Sequence, residues 1–352
     1  MALDLGLDSD QREIEDLFKG FFEKESSSAV VRQAEPLGFD LALWHKVCEI
    51  GAAEMGMREA EGDAGRFGHL VLACEALGRC VAPVPLVEHL VASRLSPADD
   101  LRDGSRIATI ALRPADGEGL WRFVPAGAVA DTVIGMEGEN LVAVTSAPPH
   151  RAPSNLASAP MADRSARAGD RVVVGARADF ERAVDHWKLL LAASLVGISA
   201  RAEQIALDYV MERKAFGRPI GGFQAIQHGL ADFPGWIDGA RTLVHKAAWA
   251  IDQRDDEDAR GGTTADANQP IDDQDFEIQD PRVLTSMAFS FASESAREVT
   301  DRALHYHGSY GFSLEYDIQL YHRRARGWPL QLGDPASERR RLADLIWPRE
   351  AS

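Results

Sequence analysis

The apolar positions of the chain pass through three regimes: helical spacing, then short alternating runs, then helical spacing again. Asp8 stands three residues before Gln11 at the head of a stretch where Ile14, Phe18 and Phe21 share a face, as in a capped amphipathic helix. Further helices are expected around residues 41–50 and 69–79, ending where Pro83 and Pro85 remove backbone donors. From about residue 106 to 174 the pattern shortens to the β-rich runs RIATIAL, DTVIGM, LVAV and RVVV, with MEGENLV placed to turn a hairpin. The segment SAPPHRAPSNLASAPMADRSARAG interrupts them without a pattern of its own. Beyond Asp179 helices return. Residues 189–197 are apolar on every side, which predicts a buried helix, and Ile198, Ala202, Ile205 and Tyr209 continue it as a stripe. One long helix, kinked at Pro234, is predicted from Phe223 through Ile226, Leu230, Phe233, Ile237, Ala240, Val244 and Ala247 to Ile251. A third helix carries Leu284, Ala288, Phe291, Val299 and Ala303, and a fourth runs over residues 335–346. The fold class is therefore mainly α with a small β domain. Residues 1–100 form a helical N-terminal domain, 101–180 a β middle domain and 181–352 a C-terminal antiparallel four-helix bundle.

Composition narrows the functions. An apolar share of 45% with 26% charged residues is that of an ordinary globular chain, and no run approaches eighteen uninterrupted apolar residues. The start MALDLGLDSDQ lacks a basic-then-apolar signal, so a cytoplasmic protein with no membrane partner is expected. A net charge of −17 excludes the basic stripes that nucleic acid requires. Much of that charge lies in residues 252–280, whose acidic residues and Gly261, Gly262 and Pro270 read as a solvated interhelical loop. Cys48, Cys74 and Cys80 lack metal-ligand spacing and are read as reduced thiols. A carboxylate-bridged diiron bundle is set aside because no histidine has a glutamate three residues before it.

The loop MERKAFGRPIGGFQ offers candidate chemistry. It places Arg213 at a helix end, then Phe216, Gly217, Pro219, Gly221 and Gly222, and restarts a helix near Gln224. A glycine-rich loop approaches a ligand closely and a guanidinium matches a pyrophosphate, although a plain interhelical turn with solvated cations has the same composition. The stretch ERKAFGRPIGGFQAIQHGLADF resembles the signature of the acyl-CoA dehydrogenase family. That resemblance implies FAD as cofactor, reached across a subunit contact, with Arg213 on the pyrophosphate, Phe216 packed on the cofactor and Gln224 hydrogen-bonded to it. A second stretch, HYHGSYGFSLEYDIQLYHRRAR, resembles the family's turn beneath the nucleotide end of the same FAD, which implies roles for His305, Gly308, Ser309 and Gly311. This sequence departs from the family at His305, Ser309 and Arg324, where Gln, Gly and Asp are usual. Ordinary helix-end histidines remain the alternative for His305 and His307. The stretch GFDLALWHKVCEIGAAEMGMREAEGDAGRFGHLVLACEALGRCVAPVPL is similar to the family's N-terminal helices.

By the same resemblance, a carboxylate removes the α-proton of an acyl-CoA thioester while the β-hydrogen leaves as hydride to the flavin. Its two usual positions fall on Leu332 and on Trp187, neither of which accepts a proton. Asp185 and Asp334 lie nearby and are read as surface or capping residues. The flavin-holding stretch of the middle domain has no convincing counterpart in ALRPADGEGLW, and Trp121 is read as a core or surface aromatic. Two functional readings stay open. The first is an acyl-CoA dehydrogenase, alone or within a homodimer or homotetramer, passing electrons to electron-transfer flavoprotein. The second is a non-catalytic subunit that completes the FAD site of a catalytic partner in a heterotetramer with a second acyl-CoA dehydrogenase chain. The resemblance is to the subunits of heteromeric actinobacterial enzymes that shorten steroid side chains.

Overall fold

The computed structural model describes residues 6–57, 65–149, 151–259 and 279–347. Six helices come first: α1 (Ser9–Glu25), α2 (Ser28–Gln33), α3 (Leu41–Glu49), α4 (Phe67–Arg79), α5 (Leu86–Leu95) and α6 (Asp99–Arg102). The capping expected at Asp8 is present in both directions. Its side chain accepts from the Gln11 N–H, and the Gln11 side chain accepts from the Asp8 N–H. Pro83 and Pro85 end the second predicted stretch, but the chain resumes at once as α5, whose residues are buried on nearly every side and so carry no amphipathic signature.

Six strands follow: β1 (Ala108–Ile110), β2 (Leu120–Val124), β3 (Thr132–Glu137), β4 (Asn140–Thr145), β5 (Ala162–Ser165) and β6 (Asp170–Ala176). The main sheet has the order β1-β3-β4-β6, and β2 pairs with β5 in a second, two-stranded sheet. The MEGENLV hairpin forms as expected, with Glu137 opposite Asn140 and Gly138 at φ +59°. Trp121, on β2, is fully buried between the sheets and donates from Nε1 to the Met136 carbonyl at 2.9 Å. It is thus a core residue. β5 lies inside the segment that shows no pattern in the sequence; its Arg164 is buried and donates to the carbonyls of Gly127, Ala130 and Ser146.

The remainder is helical: α7 (Arg177–Glu212), a short hairpin of β7 (Lys214–Ala215) and β8 (Arg218–Pro219), α8 (Gln224–Ala231), α9 (Phe233–Ala259), α10 (Pro281–Tyr306), α11 (Ile318–Gly327) and α12 (Ala336–Ile346). The single kinked helix expected over residues 223–251 is two helices, because Pro234 has no N–H to donate and its ring crowds the preceding turn. Helix α10 packs against α7, α9, α11 and α12. Among the described residues α7 is the one helix long and apolar enough to cross a membrane, yet 72% of its apolar window is buried inside the molecule, as befits a central core helix.

The acidic stretch needs a correction. Residues 252–259 are the last turns of α9 rather than loop. Asp252 is buried and accepts from the N–H groups of Phe67 and Gly68 at 2.7 and 3.0 Å, satisfying the first turn of α4, while Asp255 pairs with Arg94 and Asp256 with Arg66. Residues 260–278 lie outside the described residues. The three cysteines are free, and burial pushes the Cys48 and Cys80 thiols up to about 11.

Helices α4 and α7 touch backbone to backbone. A Cβ at Gly78 would stand 1.9 Å from the Ser194 carbonyl oxygen, and one at Gly197 would stand 2.0 Å from that of Glu75. Gly197→Ala gains helix propensity but forces these backbones apart, and a net loss of about 1–3 kcal/mol is expected. Chemical denaturation measures it; an unchanged midpoint would mean the two helices do not meet at this contact.

Candidate functional site

The signature loop is a tight hairpin. Lys214 pairs with Pro219 and Ala215 with Arg218, leaving Phe216 and Gly217 as the two turn residues, both with positive φ (+53° and +80°). This turn suits right-handed strand twist, but a bulky side chain in its first position is strained. The Phe216 ring stands outward: it is 96% exposed, and its one ring contact among the described residues is edge-on to Phe223 at 6.1 Å between centroids. Neither the strain nor the exposure is offset among the described residues, a combination that marks functional surfaces.

Arg213 caps α7, its backbone carbonyl accepting from Ile220. Its guanidinium lies over the Tyr310 ring, 5.6 Å from the centroid, and makes no ion pair or side-chain hydrogen bond among the described residues. Arg218 is seated likewise on Phe223 at 4.2 Å. Two cations held on ring faces without carboxylate partners among the described residues, in a chain of net charge −17, leave their N–H edges open to an anion.

The second motif packs against the first. Tyr209 on α7 stacks on His307 at 4.0 Å, and its hydroxyl points at the His307 carbonyl at 3.4 Å. His307 is buried, its Nδ1 2.7 Å from the Ala303 carbonyl, and burial lowers its pKa. Gly308 turns the chain with φ +60°, and a Cβ at Gly311 would meet the Leu304 carbonyl at 2.6 Å, so both glycines are required by geometry. Helix α8, which begins at Gln224, closes on the same end of α10, with Gly229 making room for the Tyr306 hydroxyl. Arg213, Phe216, Gln224, His305, Gly308, Ser309 and Gly311 thus gather at one end of the bundle, and all but Gly311 are exposed. Tyr209, Tyr310, Arg218 and Phe223 belong to this constellation; the sequence marks Tyr209 and Phe223 only as helix positions, and Tyr310 and Arg218 only as members of the two motifs. Of the four, only Tyr310 lies within the aromatic-dense stretch HYHGSYGF.

The two positions to which the resemblance assigns a base lie elsewhere. Trp187 is fully buried and donates from Nε1 to Glu88 Oε1 at 3.3 Å, and Leu332 packs against the core. Arg113, from the ALRPADGEGLW stretch, donates to the carbonyls of Gln331 and Leu332, tying the β region directly to this segment. The nearby cavity, walled by residues including Glu88, Leu191, Arg324 and Gln331, has a volume of about 50 Å³. Ligand pockets run to roughly 300–1,000 Å³, so this one has room for little more than water. Burial raises the Glu88 carboxyl above its ordinary pKa, against the hydrogen bond from Trp187. Asp334 is a helix cap, accepting from the Ala336 N–H at 2.9 Å. Asp185 is neither surface nor cap: it is buried between Lys188 at 3.2 Å and Arg341 at 2.8 Å, in a network that continues through Glu338 to Ser286. Hydrophobic spacing hides this because the network joins α7, α10 and α12 through residues far apart in sequence.

Arg324 is also sequestered, 1% exposed, and meets Glu35 at 3.1 Å beside Arg323. Burial pulls the Arg324 pKa down to about 10, against the charge of Glu35. Burial pushes the Glu35 carboxyl up, but the Arg323 hydrogen bond and the Arg324 charge outweigh it and hold the pKa below the ordinary value. Glu35→Gln would leave Arg324 buried without a counter-charge, and a loss of about 3 kcal/mol is expected at neutral pH. A depressed folded-state pKa confers stability that is complete above the unfolded carboxylate range and disappears as pH falls through the folded value. Denaturation midpoints of wild type and variant should therefore converge in acid; midpoints that stay equally far apart would assign the loss to shape instead of charge.

Residues 177–346 match the family model "Acyl-CoA dehydrogenase, C-terminal domain". The acyl-CoA dehydrogenase IpdE2 of Mycolicibacterium smegmatis is 31% identical over 95% of this chain and 98% of its own length. Among solved structures, the ChsE4-ChsE5 complex from Mycobacterium tuberculosis superposes with a TM-score of 0.82 at 21% identity, covering 99% of this chain and 100% of its counterpart. A variant of the Tcur3481-Tcur3483 steroid ACAD does so with a TM-score of 0.80 at 26% identity, covering 97% and 98%. With a relative of this identity aligned almost end to end, the chain belongs to the acyl-CoA dehydrogenase family. Its class is that of the oxidoreductases, and the ChsE4-ChsE5 structure whose fold it shares is a complex.

Proposed function

We propose that this chain is one subunit of a heteromeric acyl-CoA dehydrogenase and that its own role is to complete the FAD site of a catalytic partner chain. The observation that carries this is the separation of the two sites along α7. Trp187 lies near its start and Arg213 caps its end, and at 1.5 Å per residue the 26 intervening steps span about 39 Å. No side chain bridges that gap, so Arg213 cannot reach the small cavity beside Glu88 in its own chain. An arginine without a carboxylate partner, and a strained, outward-facing phenylalanine beside it, suit the cofactor of a neighbour.

The residues at this end fit FAD. Arg213 offers a charge-assisted fork to the pyrophosphate, Phe216 an apolar face, Gln224 a hydrogen bond, and the turn through His305, Gly308, Ser309 and Gly311 a close approach of backbone. When bound, FAD supplies the acceptor for the hydride that leaves the β-carbon of an acyl-CoA thioester. In this reading the α-proton goes to a carboxylate of the partner, because Leu332 and Trp187 accept none, Asp185 is held in its ion network and Asp334 is engaged at a helix start. Likeness to the steroid ACAD favours a steroid-derived acyl-CoA as substrate, with electron-transfer flavoprotein as the onward acceptor.

The test compares the chain purified alone with the chain co-expressed with a second acyl-CoA dehydrogenase chain. Alone it should be colourless and inactive; paired, it should hold one FAD for each pair of unlike chains, and Arg213→Ala should lower that occupancy by tenfold or more at limiting FAD. A chain that is yellow by itself and reduces an acceptor dye with acyl-CoA would instead establish the independent homomeric enzyme.

A further inference from the structure

Tyr310 stands on the turn after α10 and carries no role in the readings above. We infer that it is a positioning residue: its ring face holds the Arg213 guanidinium while the in-plane N–H donors stay free for the phosphate oxygens of a dinucleotide. The inference rests on the shared-site reading and names how that site is kept ready.

Three observations converge. The first is the contact itself, 5.6 Å from guanidinium carbon to ring centroid, with no carboxylate or carbonyl among the described residues drawing on the Arg213 donors. A carboxylate partner would occupy the hydrogen-bonding edge that a phosphate needs, whereas a ring face attracts the cation from above its plane and leaves that edge open. The second is that the ring is braced from behind. Tyr316 lies against Tyr310 at 5.5 Å between centroids, and it meets His307 and Tyr209 edge-on at 6.1 and 6.2 Å. His307 in turn stacks on Tyr209 and is fixed through the Ala303 carbonyl. The third is where these rings come from. Tyr209 lies one helical turn before Arg213 on α7, while His307, Tyr310 and Tyr316 follow α10, so the cluster locks the arginine's helix to the glycine turn beneath the same ligand. A long, flexible cation at a helix end is thereby preorganised before its anion arrives.

The experiment uses the assembled complex with its flavin-binding partner, stripped of FAD and titrated with FAD by flavin fluorescence. A cation–π contact at an exposed site corresponds to about a two- to fivefold change in affinity. Tyr310→Leu should weaken FAD binding by that factor, and Tyr310→Phe, which keeps the ring, should restore wild-type affinity. In an Arg213→Ala background Tyr310→Leu should have no further effect. An equal loss with and without Arg213 would show that Tyr310 acts through packing and would overturn the inference. Wild-type affinity for Tyr310→Leu, beside a clear loss for Arg213→Ala, would overturn it too while leaving the shared site standing. Wild-type affinity for Arg213→Ala would remove the shared site and this inference together. Should Tyr310→Leu fail to assemble, Tyr310→Gln replaces it in the same comparison.

Discussion

Helix α7 is placed by a contact that admits no side chain. At Gly78 and Gly197 its backbone and that of α4 come close enough for a single added carbon to collide, and this fixes the N-terminal helices against the C-terminal bundle. Interiors are packed like organic crystals and do not absorb an extra carbon by general relaxation. Every other placement follows from that register: α10 and α9 on the remaining faces of α7, the sheet over its first turns, and the Arg213 hairpin where it ends.

The two ends of this helix have opposite electrostatic character. At the first, charge is consumed internally: Arg324 is spent on Glu35, Lys188 and Arg341 on Asp185 and Glu338, and Arg113 on backbone carbonyls. At the far end Arg213 and Arg218 rest on aromatic rings with their donors unspent. Desolvating a charge is tolerated only when it is paired, so the first end reads as closed structure and the second as a surface awaiting an anion. That contrast is the physical content of the proposed division of labour between unlike subunits.

Much of this was legible in the sequence. Asp8 and Gln11, the MEGENLV hairpin and the apolar run 189–197 each signal through local spacing, and each formed as read. The loop residues around Arg213 were legible through a motif, and counting from Arg323 and from Arg213 set Leu332 and Trp187 at the positions where the resemblance expects a carboxylate. What escaped depends on contacts between distant residues. Helix α5 is buried all round and shows no period, Asp252 looks like solvated loop until the N-terminus of α4 is set beside it, and Asp185 looks like a surface acid until Arg341 arrives from 156 residues away. Tyr310 could not be weighed because its meaning lies in the cation above its ring, which comes from another helix.

The Glu35–Arg324 pair bears on how freely such a chain can change. A glutamate at position 332 would sit on a backbone that Arg113 already grips through its carbonyl. Glu35 could not be altered without leaving the buried Arg324 bare, whereas Glu35 would keep Arg323 if Arg324 were exchanged. The pair therefore imposes an order on change: the arginine can be replaced first, and the carboxylate only after it.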